Sequence, residues 1–307
     1  MKLDRKGEWL ELTIPNNWDG GTIDDLFRKT WNGPKKQIHH LRMTKAVLLN
    51  GIAANWNVNL SKGDRLHIKF FEDQEFGVIP TYYDLSIIYE DDHLLVVNKP
   101  SGMDTHPNTP DQQNSLSNAA AFYLHAKGEL RKISHIHRLD RDTTGAILFA
   151  KYPFIGAILD KMLEERKIKR TYLAIVDGLL TEKKGTIDQP IGQDRHHPTK
   201  KRISLSGQRA ITHYTVVETY PKKRQSLVTC NLDTGRTHQI RVHLSSIGHP
   251  IVGDVLYGGS PQCKRQALHA FMLEFTHPIT EELIHCHAPF LDKPPIFPKV
   301  DIKIEQR

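Results

Sequence analysis

His137, Arg138, Asp140, Arg141 and Asp142 fall within one short stretch, residues 137–145, which runs directly into Ala146, Ile147, Leu148, Phe149 and Ala150. The second part is an apolar run of the kind that makes a buried strand. Charged side chains are thereby held at the end of a rigid, core-anchored element, which positions a reacting group better than a free loop does. A carboxylate held this way can act as nucleophile or as base. The bland alternative is a solvated Arg/Asp turn that only caps the strand. A second dense stretch, residues 233–244, contains Asp233, Gly235, Arg236, Thr237, His238 and Arg241. Thr237 is the expected N-cap of a helix in which Ile240, Leu244 and Ile247 share one face; Gly248 ends it and Pro250 follows. Arg241 lies beside Ile240 on the inward side. A buried arginine needs an anion, and the 137–145 stretch can supply one.

The elements around these stretches can be read from pattern. A hairpin turns at Glu90, Asp91 and Asp92, and its second strand is buried and ends at Lys99-Pro100. A helix from Ser115 to about Lys127 buries Leu116, Ala119, Ala120, Tyr123 and Leu124. Pro153 starts another, with Phe154, Ile155, Ile158, Leu159, Met162 and Leu163 at helical spacing; that face reads as core. Residues 173–178 form a buried strand, and strands at 212–218 and 225–232 precede the second stretch. Residues 192–209 form a long basic loop, which could wrap a phosphate backbone or be a solvated insertion.

The N-terminal part forms a module of its own. Thr22 caps a helix with a carboxylate three positions on. A basic amphipathic segment, 37–48, carries Arg42 and Lys45. Asn50-Gly51 marks a hairpin between apolar residues, and residues 63–70 alternate as a half-buried strand. This order resembles the S4 RNA-binding domain. The expected division is an S4-like domain over 1–75, a linker over 76–84 and a catalytic domain over 85–307.

A net charge of +7 over 307 residues points modestly towards a polyanionic partner. Three well-separated cysteines without C-x-x-C spacing fit reduced thiols. The N-terminus has no apolar signal core and no apolar run approaches membrane-spanning length, so a cytoplasmic protein with no membrane association is expected.

Taken together, residues 94–100 with Gly102, His106 and Pro107, then 137–145, Arg170-Thr171-Tyr172, 232–244, Gly248-His249-Pro250, Gly253-Asp254 and 266–270 resemble the pseudouridine synthases of the large-ribosomal-subunit type, whose members often carry an N-terminal S4 domain. The resemblance implies an α+β pseudouridine synthase fold: a mixed, largely antiparallel sheet flanked by helices, joined to the small S4-like α/β domain. It implies an isomerase that flips a uridine out of structured RNA, breaks its glycosidic bond and reattaches the base through carbon 5. By the same resemblance Asp140 is the catalytic carboxylate, Tyr172 the aromatic contact of the target base and Arg241, not Arg236, the partner of Asp140. Arg138 fills the space left by the flipped nucleotide. RNA contacts are further expected from His137, Arg141, Arg170, Arg236, His238, Lys45 and Arg42. Arg170 stands where many members have lysine, and Thr144 where serine is common. No metal and no organic cofactor is implied, and a monomer is expected. Ribosomal RNA is the favoured substrate and transfer RNA the alternative.

Other candidates compete. Asp142 is an anchor for its loop, while Asp233 and Asp254 border glycines and read as turn residues. His285, Cys286 and His287 suggest a metal, but alternation on a strand splits the ligands between two faces. A non-catalytic RNA-binding or ribosome-assembly protein on the same fold is the rival class. A His-rich metallohydrolase is weaker, since no H-E-x-x-H spacing occurs.

Overall fold

The computed structural model describes residues 3–297. Positions 298–307 of the expected catalytic domain lie outside that range. Among the described residues two main sheets are built in chain order. The first contains β1 (Leu3–Lys6), β2 (Trp9–Thr13), β3 (Val47–Leu49), β4 (Ile52–Ala53) and β5 (Arg65–Lys69), in the order β1-β2-β5-β3-β4. Short-range chemistry explains much of it. Thr22 and Asp25 form a reciprocal capping box on α1 (Ile23–Asp25), which continues as a wide turn to Thr30. Asn50 and Gly51 take φ values of 53° and 83°, the pair of positive angles that a two-residue hairpin requires. The basic helix α2 is Lys35–Met43, shorter than the 37–48 pattern suggests, because Val47 pairs with Ile68 in the sheet.

The larger part of the chain follows with β6 (Ser86–Glu90), β7 (Leu94–Lys99), α3 (Leu116–Ala126), β8 (Ser134–His135), β9 (Thr144–Ala150), α4 (Pro153–Glu164), β10 (Lys169–Asp177), β11 (Lys184–Asp188), β12 (Ile191–Gln193), β13 (Lys201–Ile203), β14 (Ile211–Tyr220), β15 (Gln225–Leu232), α5 (Gln239–Ser246), β16 (Leu268–Thr276) and β17 (Leu283–His287), whose strands other than β12 and β13 form the second sheet. Its main path is β11-β14-β15-β10-β16-β9-β7-β6, antiparallel except where β9 meets β16. The mixed, largely antiparallel sheet with flanking helices is therefore present. The basic segment 192–209 is not the open loop the composition suggests. Its start and middle pair as a hairpin, β12 with β13, seated on α5 through Ile191, Ile203, Val242 and Tyr257.

The two sheets share a core. Phe27, Trp31 and Phe70 of the small module pack on Phe154 at the start of α4, with ring centroids 5.8, 6.4 and 4.8 Å apart. Removing a buried aromatic of this kind costs about 3–5 kcal/mol. The segment between the sheets is also held: Thr81 donates to the Asn118 carbonyl, and the Asn118 side chain donates to the Ile79 carbonyl.

Candidate active site

Every fully buried strand of the large sheet delivers part of the site. The loop 136–143 is carried by β9, whose first residues meet β16 in parallel register, Thr144 opposite His269 and Gly145 opposite Ala270. Gly145 sits at φ 116°, and a Cβ there would lie 2.2 Å from the Ala270 carbonyl oxygen, so only glycine allows this approach. The loop is then tied from several sides. Lys99 Nζ donates to the Arg141 carbonyl at 2.9 Å, as well as to those of Pro100 and Met103. Thr105 Oγ1 both donates to the Leu139 carbonyl and accepts from its N–H, at 3.0 Å each. Arg265 donates to the Asp142 carbonyl and to Thr144 Oγ1, and its own charge is met by Asp292 at 2.6 Å. Burial pulls the Lys99 ammonium down to about 7 against the opposing pull of Asp140, Asp142 and Asp104.

Asp140 is thus presented on a fixed loop. Its Oδ2 accepts from Arg241 Nη1 at 2.9 Å. Arg241, in the first turn of α5 and 7 % exposed, also donates through Nε and Nη2 to both oxygens of Asp254, at 2.7 and 2.9 Å. Asp254 is 2 % exposed. It is not the plain turn residue its glycine neighbours suggest, because the buried guanidinium needs a bidentate anion that Asp140 alone does not provide. Burial disfavours the Arg241 charge, but the two carboxylates outweigh it and raise the group above its ordinary range.

Tyr172 on β10 is 4 % exposed and faces the same cavity, of about 620 Å³. Burial raises its phenol pKa, with Asp140 acting in the same sense and Arg170 against it. A volume in this range suits one small ligand or a single extruded nucleotide. His137, Arg170, Arg236 and His238 also line it. Arg138 is exposed at its mouth and borders an adjoining hollow of about 360 Å³. Arg141 lies on that second side and pairs with Asp104 at 3.3 Å. Arg170 is 9 % exposed, and among the described residues its Nε has no hydrogen-bond partner.

His137, expected to contact RNA, lies on the cavity floor. It is 6 % exposed, accepts from the Leu148 N–H, and is driven by burial to a pKa of about 3, so it is a neutral floor residue. Thr237 is not the cap of α5. His238 occupies that position in the left-handed region, φ 59°, and makes no side-chain cap. The turn is instead held by Gln239, whose Oε1 accepts from Thr234 Oγ1 and the Arg236 N–H. Arg42 and Lys45 lie on the small module; Arg42 pairs with Asp24 and covers the Trp56 ring.

Lys99, Thr105, Asp254 and Arg265 are the site-building residues that local pattern did not single out. A lysine ending an apolar strand was the one available signal, and Lys99 is completely buried. Cys286 is buried while His285 pairs with Glu274 at 3.2 Å. Among the described residues no group of three or more His, Cys, Asp or Glu side chains is placed to hold a metal. No described helix is long and apolar enough to cross a membrane.

Residues 93–246 match the model of the RNA pseudouridylate synthase family, and residues 10–66 match that of the RluD ribosomal pseudouridine synthase N-terminal domain. The chain is 46% identical over 289 residues to the uncharacterized RNA pseudouridine synthase YhcT of Bacillus subtilis, covering 94% of this chain and 96% of the relative. It is 35% identical over 301 residues to ribosomal large subunit pseudouridine synthase D of Nitrosomonas europaea, covering 92% and 85%. Among solved structures, human RNA pseudouridylate synthase domain containing 1 superposes with a TM-score of 0.56 at 29% identity, covering 68% of this chain and 85% of the other. By these matches the chain belongs to the RNA pseudouridylate synthase family and is an RNA pseudouridine synthase.

Proposed function

We propose that the enzyme converts a specific uridine of ribosomal RNA to pseudouridine, with Asp140 as the catalytic carboxylate. One observation carries the assignment: Asp140, its partner Arg241 and Tyr172 line a single cavity. The target base must leave the helical stack to reach that cavity. Arg138, exposed at the mouth, takes the vacated place by stacking and phosphate contact. The bond between N1 and the sugar C1′ breaks, the base turns, and C5 bonds to C1′ while the C5 hydrogen leaves as a proton and N1 gains one. Asp140 attacks C1′ or stabilises the positive charge that develops there. The Tyr172 ring supports the base during its rotation. Arg170, His238 and Arg236 contact RNA around the cavity and Arg141 beside it, while Arg42 and Lys45 of the S4-like domain, 1–75, add a more distant contact. Residues 76–84 link that domain to the catalytic domain, 85–307. The enzyme acts as a cytoplasmic monomer without a cofactor. The ribosomal substrate is supported by the relatives named for the large ribosomal subunit and by the matching N-terminal domain.

The test is tritium release from RNA labelled at uridine C5, since that hydrogen departs only when the new carbon–carbon bond forms. Release is expected from large-subunit ribosomal RNA and not from transfer RNA. Release from transfer RNA alone would redirect the substrate assignment.

A further inference from the structure

We infer that His238 and Tyr257 are positioning residues that tie the basic hairpin β12–β13 to Asp140, so that RNA lying on the hairpin aligns the carboxylate. This rests on Asp140 being the catalytic group. The hairpin carries Arg195, His196, His197 and Arg202 on its exposed side, charges suited to the phosphates of RNA flanking the target nucleotide, while the Lys200 ammonium turns inward over the Tyr257 ring, 5.5 Å from its centroid. Its seat on the enzyme is Tyr257, which is 7 % exposed. The Lys201 N–H donates to the Tyr257 hydroxyl at 2.9 Å, and His238 Nδ1 lies 2.8 Å from the same oxygen.

A phenol has one hydrogen. With the Lys201 amide already donating to the oxygen, the acceptor beside that hydrogen among the described contacts is His238 Nδ1. Leaving a buried hydroxyl without an acceptor would cost about 1–3 kcal/mol. Tyr257 therefore donates to Nδ1, and the hydrogen of the neutral imidazole stands on Nε2. Nε2 faces Asp140 Oδ2 at 3.8 Å. That separation is longer than a hydrogen bond, of the kind that tightens when substrate orders a site. Burial lowers the His238 pKa; Arg241 and Lys201 act with it, Asp140 and Asp254 against it.

Two further features converge on the same point. His238 is held at φ 59°, an uncommon conformation for a non-glycine residue. The Tyr257 ring also underlies Arg241, whose guanidinium carbon lies 5.0 Å from its centroid. One ring thus supports both cations or donors that approach Asp140. Lys201 of the hairpin reaches that ring's hydroxyl through its backbone, so the hairpin's seating and the imidazole's tautomer are set together.

Steady-state tritium release from C5-labelled ribosomal RNA tests the relay, using Tyr257→Phe, His238→Ala, His238→Gln and Asp140→Asn. Tyr257→Phe keeps the ring and removes the hydroxyl. Tyr257→Phe should lower kcat by about tenfold or more with KM changed by less than about twofold, and His238→Ala, which also loses an RNA contact, should lower kcat as far while raising KM. His238→Gln, whose amide nitrogen can donate from near the Nε2 position, should recover most of that loss. Adding Tyr257→Phe to His238→Gln should then cost little, because an amide has no tautomer to fix. The double variant Arg195→Ala/Arg202→Ala should lower kcat and raise KM in the parent, but only raise KM in Tyr257→Phe. Parental kcat in Tyr257→Phe, or a rise in KM alone, would overturn the relay. So would a hairpin effect on kcat that is equal in both backgrounds. If Asp140→Asn keeps the parental rate, the catalytic assignment itself fails; if it is inactive while Tyr257→Phe is unimpaired, only the relay does. Should His238→Ala not fold, Tyr257→Phe and His238→Gln still decide the matter.

Discussion

Two places in the molecule assemble the same three groups, an arginine, an aspartate and an aromatic ring. On the small module Arg42 pairs with Asp24 and lies over Trp56, its guanidinium carbon 4.8 Å from the ring centroid. In the active cavity Arg241 pairs with Asp140 and Asp254 and lies over Tyr257 at 5.0 Å. The Arg42 side chain is 41% exposed and that of Arg241 is 8% exposed. Exposure decides what the same set can do. At the surface, water and salt screen the pair, and its net contribution is small. In the cavity neither charge can be left alone. Asp254 satisfies Arg241 from one side through Nε and Nη2, which leaves Nη1 aimed at Asp140. The buried pair thus fixes a direction, whereas the surface pair keeps a cation available near solvent.

Breaking the buried set should have the largest effect. Asp254→Ala leaves Arg241 with a single, shared counter-charge and should destabilise the fold by about 3–5 kcal/mol, read by urea denaturation, with activity falling as well. A loss below about 1 kcal/mol would mean that Asp140 alone can carry the buried charge. Glu90 is an intermediate case. It accepts from Lys151 at 2.6 Å, Lys127 at 2.7 Å and Tyr123 at 2.7 Å. Burial pushes this carboxyl up, but those partners outweigh it and hold it at about 2, below the ordinary 4.5. The folded-state pKa is depressed, so the stabilisation is complete above pH 4.5 and is lost as pH falls towards 2. Glu90→Gln should flatten stability against pH within that window and leave the slope above it unchanged. The smallest effect belongs to the surface set. Arg42→Ala should change stability by about 0.2–1 kcal/mol, less at high salt. If Arg42 exchanges Asp24 for an RNA phosphate, the same variant should reduce the slope of log affinity against log salt by about 1. An unchanged slope would confine Arg42 to its own module.

The contrast also marks what the chain discloses before it folds. Capping and turn chemistry act over a few residues, so the Thr22 cap and the Asn50-Gly51 hairpin were legible. The demand of Arg241 for a carboxylate was legible too, because a cation on an inward helix face has few alternatives. That the 137–145 stretch would supply one was legible as well; that a second carboxylate, Asp254, would join it was not. Asp254 stands between turn residues, and only the third dimension brings its oxygens to Arg241. Lys99 and Thr105 act on a loop 42 and 34 residues away in sequence, separations that periodicity cannot register. His238 took the left-handed cap position from Thr237 because Gln239 reaches back to Thr234 and Arg236, a contact no capping rule encodes. The docking of the small module escaped for a similar reason. Phe154 reads as an ordinary core residue of its helix, yet its ring closes a cluster with Phe27, Trp31 and Phe70.

The central claim is that Asp140 does the chemistry and the surrounding charges hold it in place. The most direct measurement is tritium release from C5-labelled ribosomal RNA by the parent and by Asp140→Asn, alongside RNA binding by each at one salt concentration. The parent should release tritium; Asp140→Asn should bind the RNA comparably and release none above background. Release by Asp140→Asn at the parental rate would contradict the claim.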